Sequence, residues 1–193
     1  MLAEKERRHV LITLPKSAGF TLIEMMIVIA IFAITLTFGV SSYRTWVQNT
    51  EIRNAAESIQ NGIQRARAEA VKCNANVAFT LGAASSWTVT HVTACGGDAA
   101  GSAVESRASG EGSKDIPVDA LPAGATTITF SNLGTVATNA DASASLSEID
   151  VNAPPGASAE VRNLKVAIGL GGNARVCDPN LPSASSTDPR RCY

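Results

Sequence analysis

Residues 20–40 read FTLIEMMIVIAIFAITLTFGV, and the organisation of the chain follows from that run. About 20 apolar residues at 1.5 Å rise per residue match the thickness of a bilayer core. Ahead of them stand Lys5, Arg7, Arg8 and Lys16, while the first residues after them are nearly neutral. The positive-inside tendency then leaves the N-terminus in the cytoplasm and carries the rest of the chain outward. An ordinary secretory signal has a shorter apolar core followed by a small-residue cleavage site. Here the small residues Ser17, Ala18 and Gly19 precede the run instead. An uncleaved signal anchor is the plain alternative.

Glu24 is the anomaly in this segment. A carboxylate within an apolar span costs on the order of 2.5 to 3.5 kcal/mol on insertion scales, so it normally has a partner. A cut after Gly19 would put the new α-amino group of Phe20 about one helical turn from Glu24. The same amine on a neighbouring copy would meet the carboxylate in a low-dielectric setting. The competing reading is a glutamate tolerated near the membrane interface.

No proline interrupts residues 20–72. Ile52, Ala55, Ala56, Ile59, Ile63, Ala66 and Ala70 recur at spacings of three and four, with Glu51, Arg53, Glu57 and Arg65 mostly elsewhere on the wheel. The pattern predicts one helix of roughly 50 residues, about 75 Å, lipid-facing over 20–40 and amphipathic over 41–72. Beyond Cys73, short β-rich runs at 77–81, 87–93, 126–130, 148–151, 161–168 and 174–177 are separated by Gly, Ser, Ala and Asn. These imply an antiparallel sheet, with Leu164, Val166 and Ile168 on a buried face by alternation. Residues 96–114 and 138–147 read as loops. The expected organisation is α+β: a leader at 1–19, the helix in its two halves, and a β-rich domain over 73–193.

The whole chain carries 16 Lys and Arg against 17 Asp and Glu. Residues 1–19 hold four of the bases and two of the acids, so the remainder has twelve bases against fifteen acids. A general basic footprint for nucleic acid is missing, and DNA contact would need a local cluster. Four cysteines, Cys73, Cys95, Cys177 and Cys192, include no CxxC pair, and His91 is the one histidine outside the leader. No metal site is expected from that spacing. An exported domain with four cysteines points to two disulfides in one of three connectivities. Cys73 with Cys95 and Cys177 with Cys192 are favoured because each joins neighbours in sequence.

The stretch Lys16-Ser-Ala-Gly-Phe-Thr-Leu-Ile-Glu24 resembles the prepilin peptidase site of type IV pilins and type II secretion pseudopilins. The resemblance implies that Gly19 precedes the cut, that Phe20 becomes the N-methylated first residue, and that Glu24 is the assembly carboxylate. Many major pilins carry a proline partway along this helix, where this chain has Gly39, Ser41 and Ser42. The later layout, from Trp87-Thr-Val through Ile128-Thr-Phe130 and Gly134 to Arg175-Val-Cys-Asp-Pro179, resembles the GspH/FimT/FimU group of minor pilins and pseudopilins. That likeness implies the pilin fold, with a long N-terminal helix packed on a C-terminal antiparallel sheet. The implied partners are a prepilin peptidase, other major and minor pilins, and the bacterial inner membrane. The implied localisation is a single pass with a periplasmic domain, and then a filament.

Catalysis has no motif to stand on: His91 lies in a strand-like TVTHVT run and is expected on a strand surface, and no cofactor is implied. Gly169-Leu-Gly-Gly172 lacks the Lys-Ser/Thr ending of a phosphate loop and reads as a hairpin turn. Arg175, Arg190 and Arg191 form the one local basic cluster, closed into a loop if Cys177 bonds Cys192. In some FimT-like proteins DNA capture is associated with a Gly-Arg-x-Arg pattern in this region. Here the stretch is Gly172-Asn-Ala-Arg175, without the first arginine, and Asp178 and Asp188 share the loop. Three functions stand: a minor type IV pilin that helps initiate a pilus, a GspH-type pseudopilin of a type II secretion system, and a DNA-binding pilin for uptake in transformation.

Overall fold

The computed structural model describes residues 19–181 and 188–192, with side chains except at 37–39 and 41. Most of the expected leader, with Lys5, Arg7, Arg8 and Lys16, lies outside the described residues, as does the side chain of Ser41. The chain divides between Val40 and Ser41 into two units.

One long helix, α1, runs Leu22–Cys73. Thr21 caps its start: the hydroxyl accepts from the Glu24 backbone N–H at 3.3 Å, and the Thr21 carbonyl accepts from Met25 N–H at 3.2 Å. Glu24 in the first turn and Lys72 in the last complement the helix dipole. The helix stops because Asn74 takes a left-handed φ of 50°, which Asn tolerates better than most residues. Asn74 N–H then bonds the Val71 carbonyl and Ala75 N–H the Ala70 carbonyl, the paired bonds of a Schellman ending.

Within the first unit the described apolar side chains from Leu22 to Leu36 are exposed. Among the described residues no helix is long and apolar enough to cross a membrane, so the span expected over 20–40 is not seen among them.

In the second unit the helix stripe is buried as the spacing predicts: Ile52, Ala55, Ala56, Ile59, Ile63, Ala66 and Ala70 lose all solvent contact. They pack on two antiparallel sheets. The first has the order β3–β2–β1–β5–β6, built from β1 (Val77–Leu81), β2 (Trp87–His91), β3 (Ala103–Arg107), β5 (Thr127–Phe130) and β6 (Val136–Ala137). The second has the order β4–β7–β8–β9, from β4 (Val118–Leu121), β7 (Glu148–Val151), β8 (Leu164–Ile168) and β9 (Ala174–Cys177). One core joins the helix stripe to Val77, Phe79, Val89, Ile128 and Phe130 of the first sheet and to Ile149, Val151 and Val166 of the second. Leu164 and Ile168 sit on its margin, half-buried, with Val166 at its centre.

Gly62 sets how closely the helix approaches. A Cβ there would come within 2.8 Å of the Phe79 ring and 2.9 Å of the Trp87 ring, so only glycine fits. Polar ties fix the same approach: the Trp87 indole N–H donates to Ser58 Oγ at 2.8 Å, and Gln60 and Gln64 donate to the Ala174 carbonyl at 3.1 and 3.3 Å. The Gly169–Gly172 stretch is a hairpin turn, with Lys165 opposite Cys177 and Ile168 opposite Ala174. Gly172 is left-handed at φ 77°, and a Cβ on it would strike the Gly134 carbonyl at 2.6 Å.

Three strands depart from the sequence expectation. Residues 96–114, expected as a loop, contain β3, and neither β4 nor β6 was expected. The loop at 138–147 has one isolated bridge, Ser145 to Thr127, and is anchored by the buried Asn139, whose amide donates to the Thr127 and Ser143 carbonyls.

Candidate assembly site

The helix start gathers Gly19, Phe20, Thr21 and Glu24. Phe20 is 79% exposed, and a Cβ on Gly19 would meet nothing within 4 Å. The fold therefore places no steric demand for glycine at 19, and its backbone is outside the left-handed region. Glu24 is exposed in the first turn, on a helix whose other side chains from Leu22 to Phe32 are apolar. Its N–H is taken by the cap while its carboxylate faces outward, available to a cation from outside the chain. Thr21 and Glu24 have the spacing of a capping box, and the Thr21 half of that box is formed.

The C-terminal loop holds the arginines. Cys177 bonds Cys192, and Asp178 forms a parallel bridge with Arg191. This brings Arg175 Nη2 within 3.2 Å of the Arg191 carbonyl. Arg190 turns instead to Asp188, donating at 3.1 and 2.8 Å, and that pairing holds the Asp188 carboxyl down at about 2. A groove of about 600 Å³ beside this loop is lined by Trp46, Arg53, Arg162, Asp178 and Arg190 among others. Each of its arginines faces a carboxylate: Arg53 with Glu57 at 3.4 Å, Arg162 with Asp178 at 3.9 Å and Arg190 with Asp188 at 2.8 Å. Alternating charges of this kind weaken the field that phosphates would feel.

A third cluster sits at the end of α1. Cys73, the last helical residue, bonds Cys95 beyond β2. Glu69, one turn earlier, is 5% exposed, and its carboxyl is held below the usual range by the Lys72 ammonium 2.8 Å away. His91 corrects the sequence reading. It is 3% exposed rather than on a strand surface, and its Nδ1 has no hydrogen-bond partner. Its Nε2 lies 3.8 Å from Asp98 Oδ2, too far for a hydrogen bond. The signal was present in the sequence: at period two, His91 shares its face with Trp87 and Val89, both buried.

Comparison with known proteins supplies the family. Residues 55–172 match the family described as type II transport protein GspH, and residues 14–40 match the prokaryotic N-terminal methylation motif. The chain belongs to the GspH family, the pilin-like group that its helix and sheets had suggested. Two crystal structures of the type IV minor pilin FimU from Pseudomonas aeruginosa are similar to it. One, at 17% identity and a TM-score of 0.45, covers 77% of this chain and 99% of FimU. The other, at 16% and 0.43, covers 73% and 99%. No protein among those with curated descriptions matches.

Proposed function

We propose that this chain is a precursor cut between Gly19 and Phe20 by a prepilin peptidase, which also methylates the new amine. The mature protein then serves as a minor subunit that helps initiate a type IV pilus. Before assembly it rests in the inner membrane with its N-terminus cytoplasmic and its domain periplasmic, an orientation supported by the basic residues ahead of residue 20. The observation that carries the reading is the surface of the first unit. Phe20, Leu22, Ile23, Ile29, Phe32 and Ile34 are each more than half exposed, and Glu24 is the one carboxylate in residues 20–40. So much contiguous apolar surface calls for cover by lipid or by other helices. The carboxylate supplies register, because a neighbour's Phe20 amine neutralises it in a low-dielectric setting. A glycine at 19 that the fold does not require fits recognition by a protease.

Expression of the full chain with and without a prepilin peptidase, followed by intact mass, tests the processing. Loss of residues 1–19 with one added methyl group is expected, and a mature protein that keeps them overturns the proposal. Glu24→Ala is expected to be cleaved as the parent is, yet to be depleted from filaments. Equal incorporation would defeat the assembly role.

The family description favours a second reading, a pseudopilin of a type II secretion machine. Deleting the chain separates the two: loss of surface pili supports the first, and loss of protein secretion with pili intact supports the second.

A further inference from the structure

The cluster of Glu69, Cys73, His91 and Cys95 is not explained by assembly. Each residue offers one ligand atom, and the four atoms lie within 4.8 Å of one another. Glu69 and Cys73 are one turn apart on α1, His91 ends β2, and Cys95 follows it. Two of the four are almost wholly buried, and one of those, His91, has a ring nitrogen with no partner. Cys73 Sγ lies 3.3 Å from Glu69 Oε1. With the disulfide formed this is only a contact, since the sulfur carries no proton. In a dithiol it becomes a hydrogen bond whose proton a cation can replace.

We propose that when the Cys73–Cys95 bond is reduced, these four residues bind a thiophilic divalent cation of the Zn²⁺ class, and that re-forming the disulfide expels it. Tetrahedral zinc with bonds of 2.0 to 2.3 Å sets its ligand atoms about 3.3 to 3.8 Å apart. The spread of 4.8 Å closes to that with side-chain adjustment, while the two bonded sulfurs move apart once their bond is broken. The donor set of two thiolates, one imidazole and one carboxylate suits zinc and not a hard cation. Lys72 sits on Glu69 through a largely exposed side chain and can swing away.

The chemistry balances. An external dithiol gives two electrons and two protons to the S–S bond and becomes a disulfide itself, leaving two cysteine thiols. Zinc then forms two Zn–S bonds and releases those two protons. In the reverse direction an external disulfide accepts two electrons from the thiolates and two protons from solvent to become two thiols, the Cys73–Cys95 bond re-forms, and the cation leaves. One corner of the fold is thus closed either by a covalent bond or by a metal.

The test uses the full chain in detergent, with Cys177→Ser and Cys192→Ser so that only one dithiol remains. It is reduced, freed of reductant under anaerobic conditions, and titrated with Zn²⁺ alone and with Co²⁺ alone. One equivalent is expected to bind, with thiolate-to-cobalt charge-transfer absorption and a Zn²⁺-dependent rise in Tm. The oxidised protein should show neither. His91→Ala should weaken binding tenfold or more, and Glu69→Gln by a smaller factor. Because His91→Ala can unfold the reduced chain, the Tm of its oxidised form is measured as well, and Glu69→Gln provides the second probe. No binding by the reduced parent overturns the proposal. So does binding that both substitutions leave unchanged, since two thiols alone would then account for it.

Discussion

At the residue scale, Lys165 shows how the second sheet handles charge. It stands on β8 directly opposite Asp150 on β7, with Nζ 2.7 Å from Glu148 and 3.5 Å from Asp150. The hydrogen bond it donates to Glu148, more than any other contact, raises its pKa above 10.5. A raised folded pKa means that the stabilisation is complete below 10.5 and is lost as pH climbs through the folded value. The Tm difference between the parent and Lys165→Met should therefore be constant at neutral pH and shrink on the alkaline side of 10.5. A difference that grows there would contradict the pairing. Gly19 and His91 mark opposite limits of what the sequence told. Gly19 stood out in the sequence through its neighbours, although the fold places no steric demand on it. His91 was misread although strand parity placed it inside. Glu69 and His91 were not paired by any spacing rule, because helix end and strand end bring them together across a disulfide and no local motif records that.

At the element scale, Gly62 sets two effects against each other. Alanine is favoured over glycine within a helix by about 1 kcal/mol. The added Cβ, however, would press on the buried Phe79 and Trp87 rings at 2.8 and 2.9 Å, and overpacking costs about 1 to 3 kcal/mol. Gly62→Ala should therefore lower stability in urea unfolding, whereas Ile63→Ala, which opens a cavity on the same face, should lower it by about 2 to 5 kcal/mol. The helix stripe was readable because seven residues repeat on one buried face. The strands that escaped, β3, β4 and β6, are all sheet edges. Edge strands are short and partly solvated, so the alternation that betrays a central strand is weak in AVESR and absent from a two-residue strand. β9 is an edge too, but its hairpin with β8 carries the glycines that reveal it.

At the scale of the molecule, two disulfides reinforce places that hydrogen bonds also hold, as where Asp178 N–H donates to the Arg190 carbonyl beside Cys177–Cys192. Cys177–Cys192 closes a loop over a separation of 15 residues, which the chain-entropy estimate values at about 3 kcal/mol. Replacing both cysteines by alanine should lower the unfolding free energy by about that amount, and an unchanged denaturation midpoint would show that the loop is held by other means. The connectivity was legible by sequence proximity, and so was a helix packed on antiparallel strands; the division of the strands into two sheets was not, since long-range pairing leaves no local trace. The other bond matters for mechanics. Cys73 ends α1 and is bonded across 22 residues to the chain beyond β2, so tension arriving along the helix passes through sulfur and shunts the intervening hairpin. In single-molecule stretching from both termini, the reduced protein should release about 70 to 80 Å more contour at that point than the oxidised one. A thread built from such subunits would lengthen less under load while this bond is intact.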